Sequence, residues 1–244
     1  MKKLYIVGTG SGALEDFTIR AYQTINKSDR VYCDELMYTK IKDHFDQSKL
    51  IPNEYTKTKT RCINAINSAN DGYTTSILGS GDTGIYGISS IIFELIQEQN
   101  LDIEVNVIPG MTSLLSGAAS LGSPITRDFA LVSLSDNFTE EETLKQKLIT
   151  LAQTDLILIF YSPCNPTKRN IELAKEILTK YRGPNTIIGI ASHLGEPTEE
   201  NITTNLELIP LDKIDAFSTI FVGNQDTYLT MTKKMVTPLT KNQT

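Results

Sequence analysis

The sequence predicts an α/β protein with two subdomains, the first with a mostly parallel sheet and the second with a mixed sheet. Short apolar segments alternate with longer amphipathic ones along most of the chain, which is typical of strands and helices in parallel sheets. After an Ala-, Ser- and Leu-rich segment at 111–121 the alternation restarts, and it changes to period two at 202–208. Period two indicates a strand with one solvated face, as in antiparallel pairing. We therefore expect subdomains at residues 1–110 and 111–244.

Apolar runs and helical spacing locate the individual elements. In the first subdomain the predicted strands are 4–7, 30–33, 74–78 and 103–108. Its first predicted helix has an apolar stripe formed by Leu14, Phe17, Ala21 and Ile25, and two more helices are predicted at 60–69 and 85–99. In the second subdomain a helix at 111–121 is followed by strands at 129–134, 155–161, 186–191, 202–208 and 218–222, with helices at 140–152 and 170–181. The strand at 218–222 is expected to pair with the strand at 202–208.

Composition excludes several classes of protein. The chain has 244 residues, 40% of them hydrophobic, and a net charge of −6, so it can form a substantial core but has no basic surface for sequence-independent nucleic-acid binding. Three scattered cysteines and two histidines predict neither a disulfide framework nor a structural metal site. No apolar run approaches the roughly 20 residues that span a bilayer. We expect a cytoplasmic protein.

The first glycine-rich loop follows the first predicted strand and has the sequence GTGSGA at residues 8–13. It matches the dinucleotide-binding pattern G-x-G-x-x-[GA], and Asp34 follows at the end of the second predicted strand. The acidic pair Glu15-Asp16 opposes that interpretation, because a pyrophosphate prefers a helix N-terminus without negative charge. The loop is thus compatible with a nucleotide, with another cofactor, or with a plain turn.

Two more loops end predicted strands of the first subdomain, SGDTGIYG at 80–87 and PGMTS at 109–113. Ligands bind beyond the carboxyl ends of strands in open α/β sheets, and glycines allow the backbone to approach a ligand closely. Asp82 is the carboxylate of the first of these loops. Helix capping is the alternative role for its side chain.

The second subdomain has polar groups at corresponding places. The sequence SLSD at 133–136 ends its first strand, and Tyr161-Ser162-Pro163 ends its most apolar strand. Basic residues cluster near 57–61 and at 168–169. In an acidic chain such clusters would offset repulsion of a polyanionic substrate.

Together these segments resemble the tetrapyrrole methylase family. The resemblance is carried by VGTGSG at 7–12, SGDTGIYG at 80–87, IPGMTS at 108–113, DF at 128–129 with SLSD at 133–136, and STIFVGN at 218–224 followed by Tyr228. It implies two α/β halves with a cofactor cleft between them, S-adenosylmethionine as cofactor, a tetrapyrrole substrate and a homodimer. It further implies C-methylation at C17 of precorrin-3B or cobalt-precorrin-3B, with ring contraction, in cobalamin biosynthesis.

The resemblance implies the cofactor-binding residues, and the chemistry of the implied reaction indicates candidates for the catalytic and substrate-binding residues. The expected cofactor-binding residues are Ser11, Ser80, Gly81, Asp82, Ile85, Thr112, Ser113, Ser162 and Leu194. Asp136 is the first candidate for a catalytic acid or base, and Asp82 is the second. The expected substrate-binding residues are Lys59, Arg61, Arg127, Ser135, Lys168 and Arg169. Three alternatives stay open, namely a methylase acting at another ring carbon, an NAD(P)-dependent oxidoreductase, and a binding module without chemistry.

Overall fold

Two five-stranded sheets, each with its own helices, organise the described part of the chain. The structure is a computed structural model that describes residues 2–137, 139–164 and 167–240. It divides into two units, Met1–Thr112 and Ser113–Thr244. The subdomain boundary predicted after residue 110 falls close to this division.

The first unit contains a parallel sheet of five strands. The strands are β1 (Lys3–Gly8), β2 (Arg30–Asp34), β3 (Leu50–Asn53), β4 (Thr74–Gly79) and β5 (Glu104–Ile108). They lie in the order β3-β2-β4-β1-β5, and every neighbouring pair is parallel. The helices are α1 (Ile19–Lys27), α2 (Glu35–Ile41), α3 (Thr58–Asn70) and α4 (Ser89–Glu98), with short 3₁₀ helices at Leu14–Asp16 and Gln47–Lys49.

Helices cover both faces of this sheet, as a buried parallel sheet requires. Successive residues of a strand point to opposite faces, so Ile6 of β1 packs in one cluster with Ile66 of α3 and residues of α4. Its neighbour Val7 packs in another cluster with Ile25 of α1 and residues of α2. Burial on both faces explains the continuous apolar run of β1, Leu4 to Val7.

Two helices of the first unit begin later than the sequence predicted. The stripe beginning at Leu14 is not one helix, because a 3₁₀ helix ends at Asp16 and α1 starts only after Thr18. The Thr18 hydroxyl accepts a hydrogen bond from the Ala21 N–H and so caps α1. The helix predicted at 85–99 starts at Ser89 instead. Before α1 the residues with helical spacing form the 3₁₀ helix, and before α4 they lie in the glycine-containing loop at 80–87. The structure also adds α2 and β3, which the sequence analysis did not predict.

The second unit contains a mixed sheet of five strands and a small sheet of three. The strands of this unit are β6 (Gly122–Ser123), β7 (Phe129–Ser133), β8 (Ile157–Tyr161), β9 (Ile187–Ser192), β10 (Glu200–Asn205), β11 (Ser218–Val222), β12 (Tyr228–Leu229) and β13 (Met235–Val236). The main sheet has the order β10-β9-β11-β8-β7, with β7 and β8 parallel, β11 antiparallel to β8 and β9, and β10 antiparallel to β9. The helices are α5 (Ser113–Leu121), α6 (Glu141–Ala152) and α7 (Arg169–Arg182), with a 3₁₀ helix at Leu211–Lys213. Helices α6 and α7 cover one face of the main sheet. Helix α5 and Met235 of the small sheet β12-β13-β6 pack on the other face.

One predicted pairing is wrong. The strand at 218–222 was expected beside the strand near 202–208, but β11 lies between β9 and β8, and β10 pairs with β9. All five residues of β11 are buried, whereas β10 is only partly buried. A strand buried on both faces requires an interior position, and one with a solvated face suits the edge. The strand predicted to reach residue 208 also ends earlier, at Asn205.

Candidate functional site

Three glycine-containing loops meet at the carboxyl edge of the first sheet. They follow β1, β4 and β5, which are adjacent in the sheet. The Gly10 N–H donates to the Gly81 carbonyl at 3.3 Å, and the Gly81 N–H donates back to the Gly10 carbonyl at 2.7 Å. The loops predicted separately from the sequence are thus hydrogen-bonded to one another.

Contact between the loops leaves no room for side chains. A Cβ on Gly110 would lie 2.0 Å from the Gly81 carbonyl oxygen, and a Cβ on Gly8 would lie 2.6 Å from the Gly110 nitrogen. Gly81 has a φ of +64° and Gly10 one of +82°, which favours glycine. Backbone therefore forms the surface of this edge, as suits a ligand that the main chain approaches closely.

Asp82 connects two of these loops. Its Oδ2 accepts a hydrogen bond from the Gly110 N–H at 3.0 Å, and its Oδ1 accepts one from the Gly84 N–H at 2.8 Å. The carboxylate therefore fixes the loop after β4 to the loop after β5. This geometry gives Asp82 a role in holding the site together, and its catalytic role stays a prediction.

The first loop differs from a dinucleotide-binding loop. The Ser11 hydroxyl donates to Asp16 Oδ2 at 2.5 Å, and the space beside Gly10 is taken by Asp16, with 2.6 Å between a Gly10 Cβ and the Asp16 Cβ. Asp34 accepts the Met37 N–H at 2.8 Å and so caps α2. The acidic groups that a dinucleotide would encounter are thus engaged within the protein.

Arg61 and Lys59 lie on α3 but in different surroundings. Lys59 is exposed, whereas Arg61 is only 4% exposed and its Nη2 lies 3.8 Å from Asp34 Oδ2. Two further nitrogens of Arg61, Nε and Nη1, are buried without a hydrogen-bond partner among the described residues. A buried guanidinium with unused donors is energetically costly. Binding of substrate by either residue stays a prediction.

In the second unit, strained backbone marks the carboxyl edge of the sheet. Ser162 follows β8 with a φ of +51°, and His193 follows β9 with a φ of +52°. Residues other than glycine rarely adopt this conformation, and such positions cluster at functional sites. Asp136 and Ser135 follow β7 at the same edge, Asp136 exposed and Ser135 buried.

The expected cofactor-binding residues of the second unit have defined neighbours. The Thr219 hydroxyl donates to the Ser113 hydroxyl at 3.0 Å, and the Tyr161 hydroxyl accepts the Leu114 N–H at 2.6 Å. Leu194 is 5% exposed and packs in the core beneath α5. A cofactor contact with Leu194 would therefore involve mainly its backbone.

The three basic residues of the second unit that were predicted to bind substrate lie in different places. Lys168 precedes α7 and donates to the carbonyl oxygens of Leu211 and Asp212, and Arg169 pairs with Glu141. Arg127 precedes β7 and therefore lies at the amino edge, separated from Asp136 by a strand of five residues, or about 17 Å.

Arg127 has structural partners at that edge. Its Nη1 pairs with Asp226 Oδ2 at 2.5 Å, and its Nε donates to the Leu239 carbonyl at 3.4 Å. These contacts hold the Arg127 side chain against the segments that follow β11 and β13. Its role in substrate binding stays a prediction.

His193 is a residue that the sequence analysis did not assign to the site. Its Nε2 lies 2.7 Å from Asp215 Oδ2, and its Nδ1 lies 3.6 Å from Glu196 Oε2. Burial acts to raise the pKa of the Asp215 carboxyl, but the hydrogen bonds that it accepts from His193, a seryl hydroxyl and a backbone N–H hold that pKa below its ordinary value of 3.8. No local sequence pattern predicts the pairing of His193 with Asp215, because the two residues are 22 positions apart.

A cavity of about 450 Å³ lies elsewhere in the second unit, at the amino ends of β8 and β9. Arg182 lines it and donates to the carbonyl oxygens of Leu151, Ala152, Thr154 and Gly223. Its donors are thus used to hold the ends of α6 and β11. The predicted residues Ser135, Asp136, Ser162 and Leu194 follow β7, β8 and β9, so this cavity is at the opposite edge of the sheet from them. Of the residues predicted for substrate binding, Arg127 precedes β7 and so lies at the same edge as the cavity.

Within the described ranges the protein has neither a metal-binding cluster nor a membrane-spanning helix. No group of three or more metal-ligating side chains was found there. None of the helices described is both long enough and apolar enough to span a bilayer.

The fold defines an α/β protein with three glycine-containing loops at the carboxyl ends of parallel strands. The family model described as Tetrapyrrole (Corrin/Porphyrin) Methylases matches residues 3–210. The chain therefore belongs to the tetrapyrrole methylase family, which confirms the resemblance found in its motifs.

Named relatives match nearly the whole chain. It is 32% identical over 241 residues to the cobalt-factor III methyltransferase of Priestia megaterium, covering 97% of this chain and 44% of that protein. It is 29% identical to the probable cobalt-factor III C(17)-methyltransferase of Salmonella typhimurium, covering 96% of this chain and 98% of that protein. The chain thus spans less than half of the first relative and almost all of the second.

Solved structures share the fold. The crystal structure of the methyltransferase CobJ aligns with a TM-score of 0.87 and 23% identity, covering 98% of this chain and 100% of that one. A uroporphyrin-III C-methyl transferase from Thermus thermophilus, complexed with S-adenyl homocysteine, aligns with a TM-score of 0.67 and 20% identity, covering 91% of this chain and 97% of that one. The expected α/β fold with a parallel and a mixed sheet is confirmed.

The glycine loops of the first unit fit a cofactor that has the chemistry of S-adenosylhomocysteine. The contact between Gly8, Gly81 and Gly110 places their main chain at the edge, because side chains added to Gly8 or Gly110 would collide with backbone. Ser80 is exposed beside Gly81, and Asp82 fixes the loop that carries them. Main-chain groups and one hydroxyl are donors and acceptors suited to an amino-acid and nucleoside ligand.

Proposed function

We propose that this chain is an S-adenosylmethionine-dependent C-methyltransferase of cobalamin biosynthesis. It methylates C17 of a cobalt-containing corrin precursor, cobalt-precorrin-3B or cobalt-factor III, with ring contraction. The observation that carries the proposal is that Gly8, Gly81 and Gly110 touch one another in a chain that belongs to the tetrapyrrole methylase family. The names of the relatives support the C17 position and the cobalt-containing form of the substrate.

The cofactor-binding residues proposed in the first unit are Ser11, Ser80, Gly81, Asp82, Ile85 and Thr112, and those in the second unit are Ser113, Ser162 and Leu194. When bound, S-adenosylmethionine supplies a methyl group that its sulfonium already activates. The protein's main task is therefore to align the reacting atoms and exclude water. The Asp82 carboxylate serves that task by holding two of the glycine loops in one arrangement.

Asp136 is the proposed acid or base for the proton transfers that accompany ring contraction. It lies at the carboxyl edge of the second sheet and is exposed, so it can reach a ligand. The proposed partners of the substrate's carboxylates are Lys59, Arg61, Ser135, Lys168 and Arg169, with Arg127 as the most distant candidate. Lys168 is favoured because its ammonium donates to carbonyl oxygens, which carry no net charge and leave its positive charge available.

Two measurements on the whole chain test this function. Calorimetric titration with S-adenosylhomocysteine should show saturable binding, and titration with NADH should show none. Incubation with S-adenosylmethionine and cobalt-factor III should add the mass of one methyl group to the corrinoid, at C17 by NMR of the product. Binding of NADH without binding of S-adenosylhomocysteine would refute the proposal that S-adenosylmethionine is the cofactor. Methylation at another carbon would refute the proposal that C17 is the methylated position.

We also propose a homodimer, as the family resemblance implies. Sedimentation velocity should give the mass of two chains, and a single species of 27.1 kDa would refute it.

A further inference from the structure

A buried amide faces the loop that carries Asp136. Asn170 lies in the first turn of α7 and is only 3% exposed. Its Nδ2 donates to the Leu134 carbonyl oxygen at 2.8 Å and to Asp136 Oδ1 at 2.5 Å. Both hydrogens of one amide are therefore directed at the segment that follows β7.

That segment is held by other hydrogen bonds as well. The Leu134 N–H donates to the Tyr161 carbonyl at 2.8 Å, which continues the pairing of β7 with β8. The Ser135 N–H donates to the Ser133 hydroxyl, and the Asn137 N–H donates to the Ser135 hydroxyl, each at 3.3 Å. The backbone of the loop thus has its own supports, and the bond from Asn170 to Asp136 acts on a side chain.

Fixing an exposed carboxylate has a chemical consequence. An exposed aspartate ordinarily samples several rotamers, and ordering it costs conformational entropy. An amide N–H can only donate, so it holds Oδ1 of Asp136 as an acceptor and leaves Oδ2 outside that bond. A buried partner of this kind keeps a functional group in one geometry before the substrate arrives.

We propose that Asn170 is a positioning residue that orients the Asp136 carboxylate for proton transfer to or from the substrate. The inference rests on the proposed function, because it gives Asn170 a task only if Asp136 takes part in the reaction. Asn170 itself is buried and acts through Asp136.

A double-mutant cycle on turnover tests the pairing. The variants are Asn170→Ala, Asp136→Asn and the two combined, measured with S-adenosylmethionine and the cobalt corrinoid beside the unchanged protein. Asp136→Asn should lower kcat by about 100-fold or more, as loss of a general acid or base does. Asn170→Ala should lower kcat by about 10- to 100-fold through misplacement of the carboxylate. The combined variant should fall within about twofold of Asp136→Asn alone, because the two changes remove one interaction.

Controls separate positioning from loss of structure. Calorimetric affinity for S-adenosylhomocysteine should stay within about twofold in every variant, since the changes leave the glycine loops untouched. Asn106→Ala removes a comparable amide-to-carboxylate bond, from Asn106 Nδ2 to Glu104 Oε1 at 3.1 Å on β5, and should leave kcat unchanged. If Asn170→Ala does not fold, Asn170→Asp keeps the shape of the side chain and replaces the donor by an acceptor, and the same cycle applies.

The outcomes are distinct. If Asn170→Ala lowers kcat by the same factor in the unchanged protein and in the Asp136→Asn variant, the inference is overturned, because Asn170 then acts independently of Asp136. Wild-type turnover in Asn170→Ala, or in Asp136→Asn, would overturn it as well. Absence of methyl transfer in the unchanged protein is a different result, since it would refute the proposed function from which the inference starts.

Discussion

Replacement of Gly110 by alanine tests whether contact between the loops forms the cofactor site. The added Cβ would lie 2.0 Å from the Gly81 carbonyl oxygen and 2.6 Å from the Gly8 carbonyl carbon. Ordinary contact begins near 3.4 Å, so the backbone must separate by more than 1 Å. Rotation of a flexible side chain cannot relieve the overlap, because both neighbours are main chain.

The expected magnitudes follow from that displacement. Overpacking of this kind destabilises by about 1–3 kcal/mol or more. A displacement of about 1 Å at a site of alignment costs about 100-fold in turnover. We therefore expect Gly110→Ala to lower turnover by about 100-fold and to weaken S-adenosylhomocysteine binding by at least about tenfold.

Gly72→Ala is the matched control. Gly72 has a φ of +97° and no atom within 4 Å of an added Cβ, and it lies at the amino end of β4, away from the loops. Alanine there should cost about 1–2 kcal/mol of stability through its left-handed conformation alone. Calorimetric affinity and melting temperature are measured for both variants. Wild-type affinity in Gly110→Ala, with a loss of melting temperature no larger than in Gly72→Ala, would refute the reasoning.

Three further predictions concern stability and reactivity. The depressed pKa of Asp215 favours the folded state above its ordinary value of 3.8, so the stability difference between the unchanged protein and Asp215→Asn should be present at pH 7 and be lost as pH falls below that value. A constant difference in urea unfolding from pH 7 to 3 would contradict this. Arg182→Ala leaves four carbonyl oxygens without their donor and should lower the free energy of unfolding by on the order of 3 kcal/mol, and a loss below about 1 kcal/mol in urea titration would count against it. Burial raises the pKa of Cys33 to about 12 and that of Cys62 to about 11, so a thiol reagent at pH 8 should modify only Cys164 in the native protein and all three thiols in denaturant. Rapid native modification of two or three thiols would show that these sites open readily.

Local patterns predicted much of the fold. The alternation of apolar runs and helical stripes located most strands and helices to within a few residues, because burial of one face imposes its period on the sequence. Errors occurred where a 3₁₀ helix before α1 and a loop before α4 continued the helical spacing. The short elements α2 and β3 were missed, since seven and four residues give too few periods to recognise.

The site was predicted only in part. The sequence located the glycine loops at strand ends, since glycine and strand boundaries are local signals. The partners of Asp136 and Asp215 were not predictable, because Asn170 is 34 residues from the first and His193 is 22 residues from the second. The place of Arg127 was likewise hidden, because only the direction of β7 shows that Arg127 and Asp136 lie at opposite edges.

The sequence by itself determined the α/β class, the change from a parallel to a mixed sheet, and the membership of a methylase family. These properties reside in periods and motifs that span a few residues, where backbone geometry and burial act locally. Tertiary structure alone decided that β11 lies inside the sheet and that Gly8, Gly81 and Gly110 touch. It also decided that a buried amide fixes Asp136. Each of these depends on which distant segments pair, and pairing is set by the total burial and hydrogen bonding of the packed chain rather than by any short stretch of it.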